Sequence, residues 1–225
     1  MDYLKSKAVF NISAIKKILS CDSSYASLVL YRLYQRKEIK KITKNRYTTK
    51  SDIWLIATNI YYPSYLSFWS ASQYYNLTEQ ILNVIQVAVT SRKKDIFFEN
   101  YKIKFIPLSK KQFFGYKKIK TDFNELFVVE KEKLLIDAFI RPTEIGNINE
   151  IIKIIKNTDF DYPKLTLYLK KINNQSLIKR VGFLIEEYKG KDLYNDFSLN
   201  RNYTLLNPFS KKFKKVNAKW RIKYE

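Results

Sequence analysis

The chain has 225 residues, with 42 Lys or Arg against 21 Asp or Glu, a formal net charge of +21 that makes acidic ligands the first partners to consider. Hydrophobic residues at 46% beside 28% charged exclude a disordered tail and allow one or two packed domains. The longest apolar runs, such as Leu134 to Ile136, fall far short of the roughly 18 residues of a membrane-spanning helix, and a chain without histidine cannot build Ser-His-Asp or Cys-His hydrolases, His-bearing zinc sites or imidazole bases.

The basic character is concentrated at the two ends. Residues 1–50 hold 12 basic and 3 acidic side chains, residues 51–100 hold 3 and 4, residues 101–150 hold 10 and 7, and residues 151–225 hold 17 and 7. The first seventeen residues interleave Lys with apolar residues and lack an apolar stretch before a small-residue cleavage site, so a cytoplasmic location is expected.

Asn11 can cap a helix whose apolar positions Ile12, Ile15, Ile18 and Leu19 recur at helical spacing and which ends at Ser20-Cys21-Asp22. Asp22, Ser23 or Ser24 can cap a second helix through about Gln35, with Ala26, Val29, Leu30 and Leu33 in one inward stripe. The opposite side displays Ser24, Leu28, Tyr31, Arg32 and Gln35, bordered by Tyr25 and Ser27. Two alternating runs, Ile39 to Thr43 and Arg46 to Thr49, flank Lys44-Asn45 and predict a basic β-hairpin. Helix, turn, helix and basic hairpin together predict a winged helix-turn-helix over residues 1–55, with its second helix in the major groove. Ser23, Ser24, Tyr25, Ser27, Tyr31 and Arg32 are the expected helix contacts to DNA. Lys40, Lys41, Lys44, Asn45 and Arg46 are the expected hairpin contacts, with Arg32 the base reader and the hairpin cations on phosphates. Cys21, in the turn, is read as a small packing residue.

Residues 56–225 predict a mixed α/β domain, so the whole chain is expected to be α+β. Ser64 or Ser67 can cap a helix running from Tyr65 to Tyr75. Val84 to Thr90 predicts a buried strand and Tyr101 to Pro107 its partner. Helices are predicted over Glu130–Ile140, Ile148–Lys156, Lys164–Ile172 and Ser176–Tyr188. Glu130 and Asp137 fall on one helix face and could hold a divalent cation, but Lys133 lies between them at ion-pair spacing and no third acid is near in sequence. No metal and no cofactor is therefore expected. The run Lys211-Lys212-Phe213-Lys214-Lys215 reads equally as a phosphate-binding patch with an aromatic insert or as a solvated turn.

Several strings in one order, Phe10 to Leu19, Tyr31-Arg32-Leu33, Arg46-Tyr47, Pro63 to Ala71, Glu130-Lys131 with Leu134 to Asp137, Lys179 to Leu184 and Lys219-Trp220, resemble AbiEi-type proteins over nearly the whole length. These are antitoxins of type IV toxin–antitoxin systems, also described as predicted transcriptional regulators of viral defence. The hairpin turn here lacks the glycine on which that family often turns. The resemblance implies an N-terminal winged helix that binds inverted repeats in its own promoter. It also implies a C-terminal domain that opposes a nucleotidyltransferase toxin encoded nearby, without a stable complex between the two. On this resemblance Ser64, Tyr65, Ser67, Glu130, Lys131, Asp137, Arg180 and Trp220 form the motif of the antitoxin domain.

The expected function is a DNA-binding autorepressor and not an enzyme, with double-stranded DNA as partner and no membrane partner. The alternatives are a stand-alone winged-helix regulator without a toxin, an RNA- or protein-binding interaction module, and a metal-dependent enzyme using Glu130 and Asp137.

Overall fold

The computed structural model describes residues 2–80, 83–121, 124–210 and 212–225. The chain is α+β, with helices and sheets of two, three and six strands among the described residues. It divides into two compact units, Met1–Leu66 with Leu82–Ser109 and Lys117–Val128, and Ser67–Ile81 with Lys110–Tyr116 and Val129–Glu225.

The first unit begins with three short helices, α1 (Asp2–Lys5), α2 (Ile12–Leu19) and α3 (Ser23–Gln35). Asn11 caps α2 by accepting the Ala14 amide at 3.2 Å, and Asp22 caps α3 by accepting the Tyr25 amide at 2.7 Å. Between them Ser20 takes the left-handed conformation, φ 48°, and its amide returns to the Lys16 carbonyl, which ends α2. Leu4, Phe10, Ile15, Ala26, Leu30 and Ile39 form one buried cluster, with Val29, Leu33 and Cys21 packed half-buried against it. Ile18 and Leu19 depart from the inward stripe that their spacing predicts, for both are exposed. The buried cluster ends at Ile15, and the last turn of α2 extends past it.

Strands β1 (Lys40–Thr43) and β2 (Arg46–Thr48) pair antiparallel through the turn Lys44-Asn45, where Asn45 adopts φ 57°. Asparagine tolerates this region better than other non-glycine residues, which accounts for a tight turn without glycine. Phe10 and Tyr47 exchange backbone hydrogen bonds at 2.9 Å in each direction, so the hairpin is laced to the segment that precedes α2.

Helix α4 (Ile53–Ile60) is capped by Asp52 and buries Leu55, Ile56, Ala57 and Ile60. It packs on β3 (Ser64–Leu66) and β4 (Val84–Val89). With β5 (Ile96–Phe98), β6 (Tyr101–Pro107), β7 (Tyr116–Thr121) and β8 (Asn124–Val129) these strands form a sheet in the order β5-β6-β4-β3-β8-β7. β4 runs parallel to β6 and antiparallel to β3. Its apolar, β-branched run suits an interior strand.

The single helix predicted from Tyr65 to Tyr75 is corrected here. Ser64–Leu66 forms β3 between β4 and β8, and α5 (Phe68–Tyr74) starts only after Ser67. Tyr65 and Leu66 are fully buried within the sheet, and three residues are too few for alternation to announce a strand.

The second unit is mainly helical: α5, α6 (Lys131–Ile140), α7 (Ile148–Lys156), α8 (Tyr162–Ile172) and α9 (Gln175–Lys189). Asn147, Asp161 and Asn174 cap the last three through their side-chain oxygens. α6 touches α5, α7, α8 and α9 and is buried on all sides from Glu132 to Phe139, which makes it the central helix. A small sheet of β9 (Thr204–Leu205), β10 (Lys215–Asn217) and β11 (Ile222–Tyr224), in the order β10-β11-β9, packs on α9. Here Trp220 is fully buried. Its indole donates to Glu186 and its amide to Asn217 Oδ1 at 2.8 Å.

Candidate nucleic-acid interface

α3 buries one narrow stripe and exposes a mixed face of polar, aromatic and one aliphatic side chain. Ala26 and Leu30 enter the core, while Ser23, Ser24, Tyr25, Ser27, Leu28, Tyr31, Arg32 and Gln35 are exposed, Tyr31 at 60%. The N-terminal end of this face is tied down: Lys16 Nζ donates to Ser23 Oγ at 3.0 Å, and Ser27 Oγ donates to the Ser23 carbonyl at 2.8 Å, which leaves the hydroxyl oxygen able to accept. Arg32, in the last turn, presents a guanidinium that can fork onto a guanine edge or a phosphate. Leu28 sits among these polar groups as an apolar contact of the kind that suits a thymine methyl.

The hairpin residues separate into two groups. Lys41 and Lys44 are exposed. Lys40 is exposed as well, but its ammonium lies 2.7 Å from the Glu99 carboxylate in the β5–β6 turn. A cleft of about 560 Å³ lies beside that pair, lined by Tyr34, Lys37, Lys41 and the 75% exposed Phe97. Glu99 could not be found from sequence, because it is 59 residues away from Lys40 and no local pattern links the two.

Asn45 and Arg46 hold the hairpin in place. Asn45 Oδ1 accepts the Ile12 amide at 2.9 Å. Arg46 is half-buried, its Nε donates to the Ile60 carbonyl at 2.9 Å, and its guanidinium lies over the Tyr61 ring at 4.6 Å. Lys93 Nζ shares that ring at 5.0 Å. Arg46, next to the turn, thus ties the hairpin to the end of α4, whereas Lys41 and Lys44 are exposed. Such an arrangement can grip a polyanion: exposed cations release counterions from phosphates, and a fixed helix face reads what lies between them.

The remaining motif residues do other work. Ser64 Oγ donates to the Thr58 carbonyl at 2.7 Å, and Tyr65 is buried. In the second unit, Ser67 stands at the N-cap of α5 without capping it and instead donates to Asp137 Oδ2 at 2.9 Å. Lys133 bonds the other oxygen of Asp137, and neither side chain reaches solvent. Burial lowers the Lys133 pKa from its ordinary value while Asp137 opposes the change. Glu130, at the N-cap of α6, accepts the Tyr168 hydroxyl. Burial and then Glu130 hold the Tyr168 phenol above its ordinary range, so it stays a donor. Lys131 Nζ lies 5.8 Å from the Tyr75 ring centroid. Arg180 Nε donates to the Leu205 carbonyl at 2.8 Å.

Glu130 and Asp137 are engaged by different neighbouring donors, Tyr168 and Lys164 for the first and Ser67 and Lys133 for the second. Among the described residues no group of three or more Cys, Asp or Glu could hold a metal ion. No helix among them is long and apolar enough to cross a membrane. Of the basic run near the C-terminus, Lys211 lies outside the described residues, and Lys212, Phe213, Lys214 and Lys215 are exposed. No protein-family model matches the chain, and no curated protein matches it.

Proposed function

We propose that residues 1–55 are a winged helix-turn-helix and that the protein binds double-stranded DNA as a transcriptional regulator. The observation that carries this reading is the exposed polar face of α3 beside the exposed Lys41 and Lys44 of a hairpin tied to α2. α3 enters the major groove, where Ser24, Tyr31 and Arg32 meet base edges, Leu28 meets a thymine methyl, and Lys41 and Lys44 lie along the phosphates. Residues 1–50 supply 12 cations against 3 acids, the imbalance that a polyanion requires.

The resemblance to AbiEi-type antitoxins extends the reading to an autorepressor that acts on inverted repeats in its own promoter and opposes a nucleotidyltransferase toxin. The C-terminal domain, residues 56–225, carries that second role. The test is a reporter driven by the segment upstream of this gene. The protein should repress it, and Arg32→Ala with Tyr31→Ala should relieve repression while the purified variant keeps its fold. Full repression by the double variant would sink the assignment of α3. Rescue of growth on co-expression with a neighbouring nucleotidyltransferase would support the antitoxin role, and unrelieved toxicity would refute it.

A further inference from the structure

The small sheet of the second unit turns one face to its helices and the other to solvent. Ile222 is fully buried and the Tyr224 ring packs on Phe183 of α9 at 5.0 Å, so Lys223 between them lies on the opposite face of β11. The register sets Val216 directly across from Lys223, and Val216 is 49% exposed. Tyr203, just before β9, and Phe213, just before β10, are exposed as well. Lys223 Nζ lies 4.6 Å from the Phe213 ring centroid and 5.9 Å from that of Tyr203, so one cation stands against two solvent-facing rings.

The segment that forms this sheet is mainly basic, although one of its cations, Lys219, pairs with Glu186 at 2.6 Å and Asp192 at 2.9 Å. Residues 201–225 carry eight Lys or Arg and one acidic side chain, Glu225, which accepts the Ser210 hydroxyl at 2.8 Å. Lys214, next to Phe213 in sequence, is exposed, whereas Lys215 pairs across from Tyr224 and so belongs to the other face of the sheet. Solvent-facing rings set beside exposed cations suit a ligand that strings flat apolar faces on an anionic backbone.

We propose that this face binds single-stranded RNA. Unpaired bases stack on Phe213 and Tyr203, while Lys214 and Lys223 neutralise phosphates. A duplex hides its base faces and does not reach the rings. Asn202, exposed beside Tyr203, supplies an amide for the 2′-hydroxyl, the group that separates RNA from DNA. This site is distinct from α3 and the hairpin, and it does not rest on the double-stranded DNA reading.

The test uses the full-length protein and fluorescence anisotropy with labelled oligouridine and oligoadenosine of about 12 nucleotides, within the site size of such platforms. Both RNAs should bind at low salt. Phe213→Ala and Tyr203→Ala should each weaken binding by about five- to a hundredfold, the range of one missing base stack, with circular dichroism unchanged. Phe213→Trp should preserve binding, Lys214→Ala should flatten its salt dependence, and Arg32→Ala should leave it unaltered. No RNA binding at low salt, indifference to both ring substitutions, equal affinity for the DNA oligomer of the same sequence, or binding only to phosphatidylserine vesicles would each overturn the proposal.

Discussion

Asn45, at the left-handed position of the hairpin turn, accepts the Ile12 amide at the first turn of α2. One side chain thus fixes two things. It supplies the acceptor that an early helical amide lacks, and it sets where Lys44, next to it in the turn, stands relative to the helices.

Replacing Asn45 separates those roles. Asn45→Ala should cost about 1–2 kcal/mol, from the missing cap-like bond and from a left-handed residue without asparagine's tolerance. Asn45→Gly keeps the turn and removes only the bond, so it should cost less. Thermal melts of the two variants check the order, and equal losses would mean that the left-handed conformation carries none of the effect.

Arg46 and the exposed lysines should respond differently although all belong to one hairpin. Arg46→Ala removes the bond to the Ile60 carbonyl and the stacking on Tyr61, so it should lower stability by roughly 1–2 kcal/mol. Lys41→Ala and Lys44→Ala should leave the melting temperature within error and reduce the slope of log affinity against log salt by about 0.9 for each phosphate no longer neutralised. A melting temperature unaffected by Arg46→Ala would show that its buried interactions contribute nothing.

Leu28 gives a prediction about sequence preference. Its apolar side chain on an otherwise polar face should favour a thymine methyl, worth on the order of 1 kcal/mol. Replacing thymine by uracil throughout a bound duplex should weaken the parent protein several-fold and leave Leu28→Ser nearly indifferent. A parent protein equally content with uracil would show that Leu28 does not meet a methyl group.

The sequence announces these features where the cause is local. Asn11 and Asp22 mark their helices because a cap acts within three residues, and the Val84–Val89 run marks a buried strand through its composition. What escaped depends on partners far along the chain. β3 looks helical until β4 and β8 flank it, and β9 to β11 are two or three residues each, with β11 and β9 pairing parallel across a long connection. The site divides in the same way. The outward face of α3 follows from a period of 3.6 residues, but the pairing of Lys40 with Glu99 and the tie from Arg46 to Ile60 do not. Glu130 and Asp137 look like a carboxylate pair at seven-residue spacing, yet Tyr168 and Ser67, remote in sequence, take one each.

Gly182 is required for a steric reason that its position in mid-helix would otherwise argue against. A Cβ there would come within 2.2 Å of the Trp220 ring. Gly182→Ala should therefore destabilise the protein by about 1–3 kcal/mol in spite of alanine's better helix propensity. Adding Trp220→Leu to that variant should cost less than Trp220→Leu costs alone, because the ring that clashes is gone. Additive losses in urea denaturation would refute the steric explanation.

Whether this protein reads duplex DNA through α3 is decided by the affinity of the full-length chain for the duplex upstream of its own gene, measured beside a scrambled duplex between about 50 and 200 mM salt, the range over which phosphate neutralisation is read. The native duplex should bind more tightly, affinity should fall tenfold or more across the salt range, and the preference should collapse in Arg32→Ala. Binding too weak to detect at the lowest salt, or equal binding to both duplexes that Arg32→Ala leaves unchanged, would contradict a DNA-reading α3.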